Sequence, residues 1–231
     1  MTFTDPSSMY VYAFVYHRGL DLEFPVGIAR PVRLVVGDRL AAVVEPDVAI
    51  DELQADDERL MHAVLAHDRV ICDINRQTDA LLPLRFGTLF PSERTLRAHL
   101  KGRDREYGAK LDRLAGKAEY TLKFTPGDPP EESATSRLKG KDYLLAKKQR
   151  YRERQWFQRE QKREWEEIRA TISTLYPEAI VAEAQENTQR LHLLAPYPNE
   201  TLYQIHFPAW QQACPRWQIQ LDGPLPVYHF A

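Results

Sequence analysis

Leu81-Leu82-Pro83-Leu84-Arg85-Phe86-Gly87-Thr88-Leu89-Phe90 is dense in large apolar residues, holds one proline and one glycine, and carries a single charge, Arg85. Alternation along a strand sets Leu82, Leu84 and Phe86 on one face and Leu81, Pro83 and Arg85 on the other. A strand inside a sheet needs every N–H and Pro83 has none, so the segment is expected at a sheet edge or at a bulge. Gly87 then permits a turn that a side chain would hinder. Helical periodicity runs before residue 79 and after Ser92, so the first half of the chain is organised around this segment.

Upstream, Tyr10–Tyr16 reads as a strand with Tyr10, Tyr12, Phe14 and Tyr16 on one face and Val11, Ala13 and Val15 on the other. Both faces are largely apolar, which suits a central strand covered on both sides. Met1–Met9 is a polar lead-in and His17–Val26 a connection. Val32–Val36 and Arg39–Val44 are β-branched runs separated by Gly37-Asp38, the pattern of a hairpin with a primed turn. A helix is predicted from about Asp57 to Thr78 on the stripe Leu60, Val64, His67, Ile71 and Ile74. Ser92 caps a second helical tract whose stripe is Leu96, Leu100, Tyr107, Leu111 and Leu114, with Gly102 as a point of interruption.

Near residue 118 the pattern restarts. Ala118–Phe124 reads as a strand, Thr125–Lys139 as a long loop rich in Pro, Gly, Ser and Glu, and Asp142–Tyr176 as a long charged helix. Pro177 stops that helix. Ala179–Ala184 and Arg190–Ala195 read as paired strands joined through Gln185–Gln189, followed by a helix over Glu200–Ala213 and a last strand, Arg216–Leu221. The order is βαββαβ, the split βαβ pattern of a ferredoxin-like fold. The first half reads as a rearranged version of the same sandwich. The chain is therefore expected to be an α+β protein of two domains: residues 1–115, a modified ferredoxin-like sandwich, and 116–231, a ferredoxin-like (βαββαβ) one.

At 231 residues the chain is long enough to bury a proper core. A formal net charge of -2 excludes a generally basic nucleic-acid binder, though not a local basic surface. Cys72 and Cys214 lie far apart and form no CxxC, so neither a disulfide framework nor a zinc site is indicated, and a reducing cytosol fits best. No apolar leader and no run of about 18 apolar residues argues for secretion or membrane spanning.

The tract from His67 through Leu81–Thr88 resembles the gas vesicle protein F/L family. The Tyr-rich first strand, Ala41-Ala42-Val43-Val44 and Lys141-Asp142-Tyr143-Leu144-Leu145-Ala146-Lys147-Lys148 agree in order. The ending Gly223-Pro224-Leu225-Pro226-Val227-Tyr228-His229-Phe230 is similar to the family's Gly-Pro-Trp-Pro-Pro-Tyr-Ser-Phe, departing at Leu225, Val227 and His229. The resemblance implies an accessory structural or assembly protein of gas vesicles. Its partners would be the major gas vesicle shell protein and other minor gas vesicle proteins, and its place the cytoplasm, on the vesicle. It also implies the modified ferredoxin-like and ferredoxin-like pair of domains.

The chemistry sought in the sequence is sparse. There is no phosphate-cradling glycine loop, HExxH or nucleophile elbow. His62 and His67 are five apart, which on a helix turns them about 140° from one another, so they do not share an ion. His67 sits on the apolar stripe, where a hydrogen-bonded core histidine is the ordinary reading. His67 or Asp68 is expected to meet Arg85 beneath the edge strand, a pair that would fix packing. The candidate structural or interaction residues are therefore His67, Asp68, Pro83, Arg85, Phe86 and Gly87; no catalytic, metal or cofactor-binding residue is assigned, and no cofactor is expected. The rival readings are a ligand-binding or enzymatic ferredoxin-like module, and a nucleic-acid binder using the basic helix 141–157. Glu160, Glu164, Glu166 and Glu167 follow that helix segment and would repel phosphate, so a solvated helix face is favoured, with no nucleic acid and no membrane as partners.

Overall fold

The computed structural model describes residues 8–17, 22–129, 140–185 and 187–231. Residues 1–7 of the lead-in, 18–21 of the first connection, 130–139 of the long loop and Glu186 of the later strand joint lie outside the described residues. Two compact units are present: Met1–Glu119 with Pro224–Ala231, and Tyr120–Gly223. Each carries its own antiparallel sheet.

The first sheet contains β1 (Met9–Tyr16), β2 (Arg33–Val36) and β3 (Leu40–Pro46). Three helix and strand pieces follow: α1 (Ile50–Gln54), α2 (Asp57–Asn75) and β4 (Leu81–Pro83). Then come β5 (Leu89–Phe90), α3 (Glu93–Gly102) and α4 (Asp104–Leu114). The strand order is β2-β3-β1-β4, with β5 also pairing β1, so the Tyr-rich strand is interior and the Pro83 strand is at the edge. Met9 to Val15 are all buried, as a strand covered on both faces requires.

One expectation fails instructively. Opposite β3 the register slips between Val11 and Ala13, leaving Tyr12 as the extra residue of a β-bulge. The bulge shifts the alternation, so Tyr10 and Tyr12 share one core with Ala13 and Val15, under Val70, Ile71 and Ile74 of α2. Phe14 and Tyr16 are sent to α3 and α4 instead. Phe14 stacks on Tyr107 at 4.9 Å, and the Tyr16 hydroxyl donates to the Gly108 carbonyl and to Asp112.

The hairpin from β2 to β3 forms, but its turn is not primed. Gly37 N–H donates to the Leu40 carbonyl at 2.8 Å, which makes Asp38-Arg39 the two central residues. Neither has positive φ, and a primed turn requires it. α2 opens on Asp56, whose carboxylate accepts from Glu58 and Arg59 N–H. α3 opens on a capping box between Ser92 and Thr95. It ends at Gly102, and α4 begins after Arg103, so the helical tract breaks at the glycine.

The second unit takes most of β6 (Lys117–Pro126), α5 (Lys141–Leu175), β7 (Ile180–Gln185) and β8 (Thr188–Pro196). A π-helical turn over Leu202–His206 leads into α6 (Phe207–Ala213), and β9 (Trp217–Leu225) closes the sheet. Its strand order is β7-β8-β6-β9. Buried Phe124 meets the half-buried Trp165 and Trp217 edge to face. Glu164, expected on a solvated face, is buried and pairs with the Arg216 guanidinium. The pairs Lys162–Glu166 and Arg163–Glu167 do form on the surface.

Candidate functional site

Tyr10 and Tyr12 of β1 stand under α2, and the strand bulge aims both at the polar groups there. His67 is 6% exposed, between Tyr10, Tyr12 and Phe86. Its Nε2 faces the Leu84 carbonyl at 3.1 Å, and a carbonyl only accepts, so Nε2 carries the proton. Nδ1 is then bare and accepts from the Tyr10 hydroxyl at 2.7 Å. The Tyr10 oxygen in turn accepts from Gly87 N–H at 3.3 Å. One relay therefore ties β1, α2 and the connection after β4. Burial holds the His67 imidazole below its usual range and pushes the Tyr10 phenol above its own.

With both ring nitrogens engaged, His67 has no lone pair left for a metal ion. Phe86 lies edge-on to Tyr10 and His67, at 6.1 and 5.7 Å between ring centres. Gly87 has φ 85, in the left-handed region that glycine tolerates. Pro83 pairs opposite Ala13 on the sheet edge. Of the candidates, His67, Phe86 and Gly87 are brought together around Tyr10, while Pro83 lies on the sheet edge.

Asp68 and Arg85 part from them. The Arg85 side chain is exposed, and among the described residues neither His67 nor Asp68 pairs with it. The physical reason lies in the chain path. β4 ends at Pro83, and Leu84 N–H still bonds the Tyr12 carbonyl, after which the backbone turns and the period of two is lost. Leu81 and Phe86, expected on opposite faces, pack into the same core for this reason. Asp68 instead accepts from the Tyr228 hydroxyl, within the C-terminal segment that returns to the first unit.

Two features lay outside the sequence reading. The first is Glu45, a fully buried carboxylate in β3. It accepts from the Tyr12 hydroxyl at 2.5 Å and from Ile28, Ala29 and Arg30 N–H, each at 2.7 Å. A Cβ at Gly27 would lie 2.0 Å from its Oε2, so only glycine lets the loop close over it. The signal was an acid on the same alternating face as buried Val43. The second is the anchoring of the tail. His229 N–H and Nδ1 meet the Glu119 carboxylate at 2.9 and 2.7 Å, the Arg113 guanidinium donates to the Phe230 carbonyl, and Val227 is buried.

A family model described as gas vesicle synthesis protein GvpL/GvpF matches residues 8–231. The chain belongs to that family. Gas vesicle protein F1 of Halobacterium salinarum is 31% identical over 132 residues, which is 54% of this chain and 60% of that protein. The match thus spans less than two thirds of the relative's length. Among solved structures, gas vesicle protein GvpF from an Anabaena species superposes with a TM-score of 0.70 at 17% identity, covering 97% of this chain and 96% of that one. GvpF from Microcystis aeruginosa gives 0.69 at 15% identity, over 96% and 98%. These two establish the fold. The GvpL/GvpF match establishes a gas vesicle-related role, and that family is described by gas vesicle synthesis rather than by a reaction. No helix among the described residues is long and apolar enough to cross a membrane.

Proposed function

We propose that this chain is a noncatalytic accessory protein of gas vesicles that binds the major shell protein while the vesicle forms, in the cytoplasm and on the vesicle itself. Membership of the GvpL/GvpF family across residues 8–231 carries the reading. The buried polar groups support it. His67, Tyr10, Tyr12 and Glu45 spend their hydrogen-bonding capacity on one another and on backbone, which suits a scaffold and leaves no activated base or nucleophile among them. Affinity would come from apolar surface oriented by polar contacts, without turnover. Other minor gas vesicle proteins would be further partners.

The finer architecture belongs to the same proposal. Residues 116–231 form a ferredoxin-like βαββαβ domain, supported by the order β7-β8-β6-β9, and 1–115 a modified version, with the last eight residues grouped with the latter. The test is co-purification from cells that make gas vesicles. The tagged chain is expected to bring down the major shell protein through stringent washes. Recovery of neither that subunit nor any vesicle component would overturn the proposal.

A further inference from the structure

Helix α5 is 35 residues long, yet its buried residues are Glu164, Ile168 and Ile172, all in its second half. From Lys141 to Trp156 every described side chain is exposed except Ala146 and Arg150, which are half-buried. Sixteen residues of helix with so little packing are marginal in water, because most helical stability in proteins comes from a packed face. The bare half is not uniformly polar. Leu144 and Tyr151 are seven residues apart, hence within about 20° of each other around the helix, and are 65% and 64% exposed. Lys147, Lys148 and Arg154 flank that apolar spine, and no acid occurs from Leu144 to Arg152.

The outer face of α2 has the opposite charge. Its inner face buries Ala63, His67, Val70, Ile71 and Ile74. Outward, Met61 and Leu65 are one turn apart, each 59% exposed, with Val64 beside them. Asp57 and Glu58 lie on the same face by helical spacing, as does Asp68, whose carboxylate also accepts from the Tyr228 hydroxyl. Between Asp57 and Asp68 the one lysine or arginine is Arg59, which pairs with Asp56. Each ridge is a short apolar spine flanked by like charges, and the two signs are complementary.

We propose that these ridges bind each other between two copies of the chain: the basic ridge of α5 on one copy docks on the acidic ridge of α2 on the next. Because the surfaces differ, the contact is heterologous, and it closes a ring, a reciprocal dimer or an open string according to the rotation between copies. Apolar burial at the spine supplies affinity, while the flanking charges set orientation and make it salt-sensitive. Docking would also supply the packing that the first four turns of α5 lack. The contact goes beyond the shell-binding reading and does not depend on it, since it is measured on the pure protein.

The test is sedimentation velocity on the full chain over a wide concentration range at low and high salt. The wild type is expected to sediment faster as concentration rises at low salt, and less so at high salt. Reversing the α5 ridge (K147E, K148E and R154E together) is expected to weaken association roughly tenfold or more. Reversing the α2 ridge (D57K with E58K) should do the same. An equal mixture of the two reversed proteins restores complementarity in both directions and should associate when neither does alone. Recovery on mixing also shows that both variants are folded; Leu144→Ser and Leu65→Ser provide versions that leave the charges in place. A wild type that stays monomeric, a reversed variant that associates like wild type, or a mixture that stays apart would each overturn the contact. A monomer that instead binds duplex DNA with steep salt dependence would assign the basic ridge to nucleic acid and overturn it equally.

Discussion

The two longest helices differ in what they lean on. α2 is 19 residues and buries a stripe from Ala63 to Ile74 over Tyr10 and Tyr12 of β1, so its side chains decide whether the first unit holds together. α5 is nearly twice as long, and its buried residues, Glu164, Ile168 and Ile172, all lie in its second half. Helix length is therefore a poor guide to structural weight in this protein. Chemically similar substitutions should have very different consequences in the two places.

The largest contrast is expected between two glutamates. Glu45→Leu removes the acceptor of the Ile28, Ala29 and Arg30 N–H groups and of the buried Tyr12 hydroxyl. The loss should be about 3–5 kcal/mol in urea denaturation. Glu153→Leu, on the bare half of α5, should leave the same midpoint where it was. Equal effects would break the contrast.

Next comes His67. His67→Leu strands the Tyr10 hydroxyl and the Leu84 carbonyl and should cost about 2–3 kcal/mol. The pH dependence follows from the depressed imidazole. In the unfolded chain the ring binds its proton near 6.5, and in the folded one only at lower pH. The unfolded state thus holds more protons in that interval. Its contribution is fully present above pH 6.5 and is lost as the pH falls from there toward the folded value. Thermal melts between about pH 7.5 and pH 5 should show that decline, and His67→Gln should flatten it. The flattening will be partial, because burial also lowers His99.

Two glycines sharpen the comparison further. Gly87 and Gly140 both have positive φ, and an added Cβ meets nothing within 4 Å at either. Gly87→Ala should destabilise by about 1–2 kcal/mol, because the relay through its N–H fixes the backbone there. Gly140→Ala sits where the start of α5 can fray, so the global melting temperature should not move. The smallest expected effect is at the tail. Tyr228→Phe removes the bond to Asp68 and should cost about 0.5–1 kcal/mol, whereas Tyr151→Phe on α5 should cost nothing measurable.

Most elements could be read from the residues because local chemistry announces them. Ser92 with Thr95, Asp56 before α2, Gly102 between α3 and α4, and Pro83 at a sheet edge each act within a few residues of themselves. What escaped depends on distant partners. The Tyr12 bulge exists because of how β1 registers on β3, and without it the alternation of Tyr10 to Tyr16 looks unbroken. Glu45 reads as the polar end of a strand until the loop at Ile28–Arg30 folds over it. Among the candidate residues, an apolar stripe marks His67 as a core histidine and a turn signal marks Gly87. The expected Arg85 pair does not form because the strand ends at Pro83. The gas vesicle role was legible only through family resemblance, since nothing in periodicity or spacing encodes a partner's identity.

Docking without turnover is tested most directly by titrating the purified full chain with the major shell protein and following both by native mass spectrometry. The expected result is a saturable complex of fixed ratio in which both masses are unchanged. A shell subunit released with an altered covalent mass, at less than one equivalent of this chain, would contradict it.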